Sequence, residues 1–157
     1  MGAGILPIAI HNNKVYFLFG QEAYDKKWSD FGGARDSKTE PIFETAIREG
    51  YEELNGLLGT KGKIRHMVKN NYITKINKQD NSYSTYVFTI PYNTSLPEYF
   101  GNYNKFIETN FPEKINKKGF FEKSNIKWFS YEELKNKNYP FREHYKEIVK
   151  KLLQIKI

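Results

Sequence analysis

The sequence predicts a mixed α/β sandwich, in which one sheet is flanked by two long helices within a single domain over residues 1–157. Runs of β-branched and aromatic residues recur along the chain, and two segments place apolar residues at helical spacing. Strands combined with amphipathic helices are typical of layered α/β domains. A hydrophobic content of 39% and a charged content of 27% fit a globular chain rather than a disordered one.

The chain is expected to begin with two strands, over 4–11 and 14–22, joined by a tight turn at His11-Asn12-Asn13. A polar loop follows. The paired glycines Gly32 and Gly33 then mark a place where the backbone turns or closely approaches another group.

The clearest helix is predicted over 41–55. Pro41 suits a first helical position, and Asn55-Gly56 suits a left-handed end. The apolar residues of one face recur at helical spacing, namely Phe43, Ala46, Ile47, Tyr51 and Leu54. The later elements are predicted as strands over 62–76 and 82–92, an irregular region over 93–125 with room for a short helix at 101–110, a strand over 126–130, a helical turn over 131–134 and a second long helix over 141–154.

The composition limits the classes of function. The sequence contains no cysteine, which excludes disulfides, thiolate metal sites and a cysteine nucleophile. No stretch is long enough to span a bilayer, so we expect a cytosolic protein without a membrane partner. The net charge of +7 has two interpretations of equal weight, an anionic partner or the lysine content of an AT-rich coding sequence.

The segment most informative about function is Arg48-Glu49-Gly50-Tyr51-Glu52-Glu53, which contains three closely spaced glutamates. On a helix, its three carboxylates fall within an arc of about 100°. Like charges at this spacing weaken a helix, and a bound cation would turn the repulsion into attraction. Carboxylate oxygens without histidine or cysteine favour Mg²⁺ or Mn²⁺ over Zn²⁺. The alternative is a solvated acidic face.

Together with Glu40, seven residues before Arg48-Glu49, this spacing resembles the signature of the Nudix hydrolase family. The sequence departs from that signature in three ways. The loop between Gly33 and Glu40 is one residue longer, Gly50 replaces an aliphatic residue, and Asn55 stands in place of the terminal glycine. None of these changes removes a carboxylate.

The resemblance implies a Nudix-type α/β/α sandwich and a site with assigned roles. It implies that Glu49, Glu52 and Glu53 hold one to three Mg²⁺ or Mn²⁺ ions, with the carbonyl of Gly32 or Gly33, and that Arg48 orients them. Glu122 resembles the additional metal ligand or base that some members carry in a late loop, although a solvated role is the alternative. Arg35 and Lys38 are candidates for contacts with substrate phosphates, with solvent exposure as the alternative.

The activity implied by the resemblance is metal-dependent hydrolysis of a diphosphate linkage in a small nucleoside diphosphate derivative. A capped RNA 5′ end or a diphosphoinositol polyphosphate would make better use of the net charge of +7. Two hypotheses from other classes remain open: a catalytically inactive Nudix-fold module that binds a nucleotide or RNA, and a small basic structural or RNA-binding domain. The oligomeric state stays open.

Overall fold

A computed structural model describes residues 1–115, 117 and 119–157. Its seven strands are β1 Gly2–His11, β2 Lys14–Glu22, β3 Trp28–Ser29, β4 Phe31–Ala34, β5 Tyr72–Asn77, β6 Tyr83–Thr89 and β7 Lys123–Ser130. The α-helices within these residues are α1 Ile42–Glu53, α2 Lys61–Asn70, α3 Leu96–Asn110, α4 Tyr131–Asn136 and α5 Glu143–Leu152. Within the described residues, no helix combines the length and the apolar character needed to cross a membrane.

The strands form one mixed sheet in the order β3-β2-β1-β6-β5, with β4 paired to β1 and β7 paired to β2. β1 runs parallel to β6 and antiparallel to β2 and β4. The β1–β2 pairing covers only residues 8–11 and 14–17. Beyond it the two strands separate, β4 takes the free part of β1, and β3 takes the free part of β2. The chain crosses this fork in the sheet at Asp30, between β3 and β4.

Side chains alternate along β1 between two hydrophobic clusters, one on each face of the sheet. Ile5 packs in the cluster that includes α1 and α2, and Leu6 packs in the cluster that includes α5. The sheet therefore lies between helices on both faces, which confirms the predicted α/β sandwich.

Helix α1 agrees with its prediction within two residues, and its end has the expected left-handed conformation. Asn55 has φ +52° and Gly56 has φ +71°. Gly50, which replaces the aliphatic residue of the family signature, faces Ile5 of β1. A β-carbon at this position would lie 2.3 Å from Ile5 Cδ1, so glycine lets α1 pack closely on β1.

Two segments differ from their predictions. The strand predicted over 62–76 is helix α2 followed by β5. The side chain of Thr60 caps α2 by accepting the N–H of Lys63 at 3.2 Å, and the buried Ile64 and Val68 have helical spacing.

The region predicted as irregular, 93–125, contains the fifteen-residue helix α3 and the start of β7. The short helix expected at 101–110 is present, and it begins five residues earlier, at Leu96. Its asparagines and glycines suggested loops, but Phe100 and Ile107 are buried two turns apart and attach the helix to the core. Residues 116 and 118 of this region lie outside the described residues.

Candidate active site

Three acidic residues of α1, Glu49, Glu52 and Glu53, line a cavity of about 300 Å³ beside the fork in the sheet. Its walls come from β4, the loop after it, α1, the loop that precedes β7, and the start of α5. The lining residues that carry charge are Arg35, Asp36, Arg48, Glu49, Glu52, Glu53, Glu122 and Arg142. We call this space the acidic cavity.

Arg48 connects most of this wall. Its Nε and Nη2 donate to the two carboxylate oxygens of Glu40 at 2.9 and 3.1 Å, and Nη2 also donates to the carbonyl of Ala34 at 2.9 Å. Its Nη1 donates to Glu49 at 2.8 Å and to Glu52 at 3.3 Å. The hydrogen bonds from Arg48 lower the pKa of Glu40 from 4.5 to about 2. Arg48 thus ties the loop after β4 to the carboxylates of α1.

Glu49 and Glu52 each lie against a glycine. A β-carbon at Gly33 would be 2.6–2.7 Å from the carboxyl group of Glu49, and one at Gly119 would be 2.8 Å from that of Glu52. Gly119 also has φ +93°, a conformation that side chains rarely adopt. Burial raises the pKa of Glu49, and Arg48 opposes the shift. Both glycines leave the space into which these carboxylates extend.

Glu53 points inward and is only 2% exposed. Its Oε2 accepts the backbone N–H of Gly32 at 2.7 Å and lies 3.5 Å from Nζ of Lys123. Burial raises the pKa of Glu53, and the positive charge of Lys123 opposes that shift. The two glycines therefore serve different carboxylates, with Gly32 on Glu53 and Gly33 on Glu49.

Lys123 is fully buried and ends in a polar cluster behind the acidic cavity. Its ammonium donates to Glu22, in a short contact, and to Ser29 Oγ at 2.8 Å. Burial works against the charge of Lys123, but Glu53 and Glu22 outweigh it, so its pKa lies above the ordinary value. Lys123 is therefore charged at neutral pH.

Asp30 is also fully buried, where the chain crosses the fork. Its two oxygens accept hydrogen bonds from Tyr83 at 2.8 Å and from Thr85 at 2.7 Å, both on β6. Burial raises the pKa of Asp30 from 3.8 to about 7, although both hydrogen bonds lower it. These bonds fix the crossing point two residues before Gly32.

The other predicted site residues lie at different distances from this cavity. Glu122 lines it and accepts the N–H of Gly119 at 3.2 Å. Arg35 lines it, donates through Nη2 to the carbonyl of Lys38 at 2.5 Å, and has a buried Nε without a hydrogen-bond partner. Lys38 is exposed and stands outside the cavity lining.

Four site residues escaped the reasoning from sequence: Glu22, Asp30, Lys123 and Arg142. Arg142 precedes α5, lines the acidic cavity and contacts Glu22 at 3.1 Å. Asp30 is two residues before the paired glycines, and this proximity could have identified it as a candidate site residue. Nothing local marks Lys123, because its partners are about 70 to 100 residues earlier in the chain.

The donor chemistry of the acidic cavity fits a hard divalent cation, since four glutamates reach its wall. As they stand, no three acidic or histidine side chains among the described residues are grouped to hold a metal ion. The guanidinium of Arg48 lies between the carboxylates of Glu49 and Glu52, and Glu53 faces Lys123. The positive charge beside these carboxylates is supplied by protein side chains.

No model of a known protein family matches the chain. An uncharacterized protein of Acanthamoeba polyphaga mimivirus is 38% identical over 60 residues, which cover 35% of this chain and 20% of that protein. The match thus spans about a fifth of the length of this curated relative.

Solved structures are similar over most of the chain. The NUDIX domain of Shewanella oneidensis NrtR, in complex with ADP ribose, aligns with a TM-score of 0.50 at 10% identity, over 98% of this chain and 85% of that one. An Ap4A hydrolase binary complex from C. elegans has a TM-score of 0.49 at 17% identity, over 84% and 81% of the two chains. A NUDIX-family hydrolase from Clostridium perfringens has a TM-score of 0.46 at 16% identity, over 98% and 95%. The likeness to the NrtR domain shows that this chain has the Nudix fold, as the sequence resemblance implied.

Proposed function

We propose that this chain is a Mg²⁺- or Mn²⁺-dependent Nudix hydrolase that cleaves a diphosphate linkage in a nucleoside diphosphate derivative. The observation that supports this proposal is the convergence of four glutamates, from α1 and from the loop before β7, on one cavity with arginines at its wall. Carboxylates beside cationic side chains suit a site for a metal ion together with phosphate groups.

Glu49, Glu52 and Glu122 are the proposed metal-holding side chains, with Glu53 at the inner wall of the same cavity. A bound divalent ion would supply charge neutralisation on the phosphates and would acidify a water molecule. Arg48 is proposed to orient Glu49 and Glu52, since it contacts both and is anchored by Glu40.

The arginines at the wall are proposed to bind the substrate phosphates. Arg35 lines the cavity beside the carboxylates, so its guanidinium is a candidate for an ion pair with a phosphate group. Arg142 contacts Glu22 through Nη1 and lines the same cavity. Lys38 is proposed to act only through its carbonyl, which accepts from Arg35.

The test is a substrate panel with Mg²⁺ or Mn²⁺ that includes ADP-ribose, a dinucleoside polyphosphate, capped RNA and a diphosphoinositol polyphosphate. We expect turnover of a small nucleotide by the wild type and a loss of at least a hundredfold in Glu52→Gln. Glu44→Gln is the matched control, because Glu44 lies on the same helix and pairs with Arg65 outside the cavity. Equal turnover by wild type and Glu52→Gln would refute the proposal. Preferred turnover of the capped RNA or the inositol compound, with strong salt dependence, would select those substrates instead.

The second candidate function is a catalytically inactive module that binds a nucleotide. The observation in its favour is that Arg48 and Lys123 already neutralise carboxylates of α1. Calorimetry in the presence of Mn²⁺ separates the two functions, because the inactive module would bind a nucleotide from the panel without forming product.

A further inference from the structure

The side chain of Lys123 lies in a fully buried, polar pocket of the protein. Gly20 on β2 makes room for its side chain, since a β-carbon there would lie 3.0 Å from Lys123 Cδ. The ammonium donates to Glu22 and to Ser29 Oγ, and it forms a longer ion pair with Glu53 at 3.5 Å. A fully buried lysine is uncommon unless paired, and here two carboxylates pair with it.

The position of the ammonium disfavours a metal ion on Oε2 of Glu53. A divalent ion bound to Oε2 of Glu53 at the usual distance of about 2.1 Å would lie within about 6 Å of Nζ, given the 3.5 Å between Nζ and that oxygen. Two cations at that spacing in a buried region repel strongly. The same oxygen is also engaged by the N–H of Gly32.

We propose that Lys123, directly behind the acidic cavity, is a built-in cation that takes the place of a divalent ion at Glu53. Glu53 then serves the ammonium, and divalent binding is left to Glu49, Glu52 and Glu122. This inference rests on the proposed function for the outer carboxylates and reassigns Glu53, which the family resemblance places among the metal ligands. Lys123 is in this view a positioning residue, which holds Glu53 and Gly32 in place.

The test is a Mn²⁺ titration of the full chain, followed by the electron paramagnetic resonance signal of free Mn²⁺. We expect Glu52→Gln to weaken Mn²⁺ binding at least tenfold and Glu53→Gln to change it by less than about twofold. Lys123→Met should bind one additional Mn²⁺ ion or bind Mn²⁺ at least tenfold more tightly. The double variant Lys123→Met/Glu53→Gln should lose that gain. Circular dichroism checks that each variant is folded.

The inference is overturned when the wild type binds Mn²⁺ and Glu53→Gln weakens binding as much as Glu52→Gln does. That comparison decides the matter even where Lys123→Met fails to fold. A wild type that binds no Mn²⁺ and hydrolyses nothing refutes the proposed function instead. In that case Lys123→Met still tests the inference, since removal of the ammonium should create a Mn²⁺ site that depends on Glu53, and its failure to do so overturns the inference.

Discussion

Replacing Arg48 by methionine tests how much of the fold around the acidic cavity depends on one guanidinium. Methionine keeps the length and the apolar stem of the side chain but removes all its donors. Glu40, Glu49 and Glu52 would lose their shared cation, and the carbonyl of Ala34 would lose a donor. The expected result is a clear loss of stability, because removing one partner of a largely buried ion pair leaves the other charges uncompensated.

The pKa of Glu40 sets the magnitude. A shift from 4.5 to about 2 corresponds to about 3 kcal/mol of favourable interaction in the folded state. Solvent at the edge of the cavity screens part of this energy, so we expect a loss of about 2 kcal/mol in the free energy of unfolding at pH 7. Because the folded-state pKa of Glu40 is depressed, its contribution is complete above about pH 4.5 and is lost as the pH falls toward about 2. The effect of the substitution should therefore shrink by about half at pH 3.

The assay is urea-induced unfolding at pH 7 and pH 3, followed by the fluorescence of Trp28 and Trp128. Arg65→Met is the matched control, because Arg65 also makes two hydrogen bonds to one carboxylate, that of Glu44, but is about a third exposed. An exposed pair of this kind contributes little to stability, because water screens it. The reasoning would be refuted by an equal loss in both variants, or by an Arg48→Met effect that does not change with pH.

Three further predictions concern residues beside the cavity. Burial raises the pKa of Asp30 to about 7, so the folded state binds this proton more tightly than the unfolded state and its contribution declines as the pH rises from about 4 to 7. Asp30→Asn should therefore flatten the stability curve between pH 4 and pH 7 relative to wild type, and an unchanged slope in urea unfolding would contradict this. Gly33→Ala should displace the carboxylate of Glu49 and weaken Mn²⁺ binding about tenfold while the melting temperature changes little; calorimetry with unaltered affinity would count against it. Gly50→Ala should lower the free energy of unfolding by about 1–3 kcal/mol, because the clash with Ile5 outweighs the gain in helix propensity; a more stable variant in urea unfolding would show that α1 can move away.

The sequence predicts the structure correctly where residues close together in the chain determine it. The spacing of the apolar residues predicts α1, and the spacing of its glutamates predicts that carboxylates gather on one side of it. Helix α2 was predicted as a strand because Ile64 and Val68 favour strands and because its lysines and glycine obscure the helical periodicity. The N-cap residue Thr60, which indicates a helix, was not used in that prediction.

The inner half of the site could not be predicted in the same way. The buried Glu53 pairs with Lys123, which is 70 residues later and reaches it through space left by Gly20. The contacts between Arg142 and Glu22 and between Tyr83 and Asp30 likewise join segments at least 50 residues apart. Such contacts form only when the tertiary structure brings distant segments together. Hydrophobic periodicity and helix-capping residues in the local sequence do not predict them.

The fork in the sheet has a consequence for aggregation. Where β1 and β2 separate, each strand would present unpaired N–H and C=O groups if β3 and β4 did not cover them. Exposed strand edges of this kind are templates for pairing between molecules. The short segment over 28–34 thus has two roles. It forms part of the wall of the acidic cavity, and it covers two strand edges that could otherwise pair with neighbouring molecules. Deletions or proteolytic cuts there would promote self-association as well as remove the site.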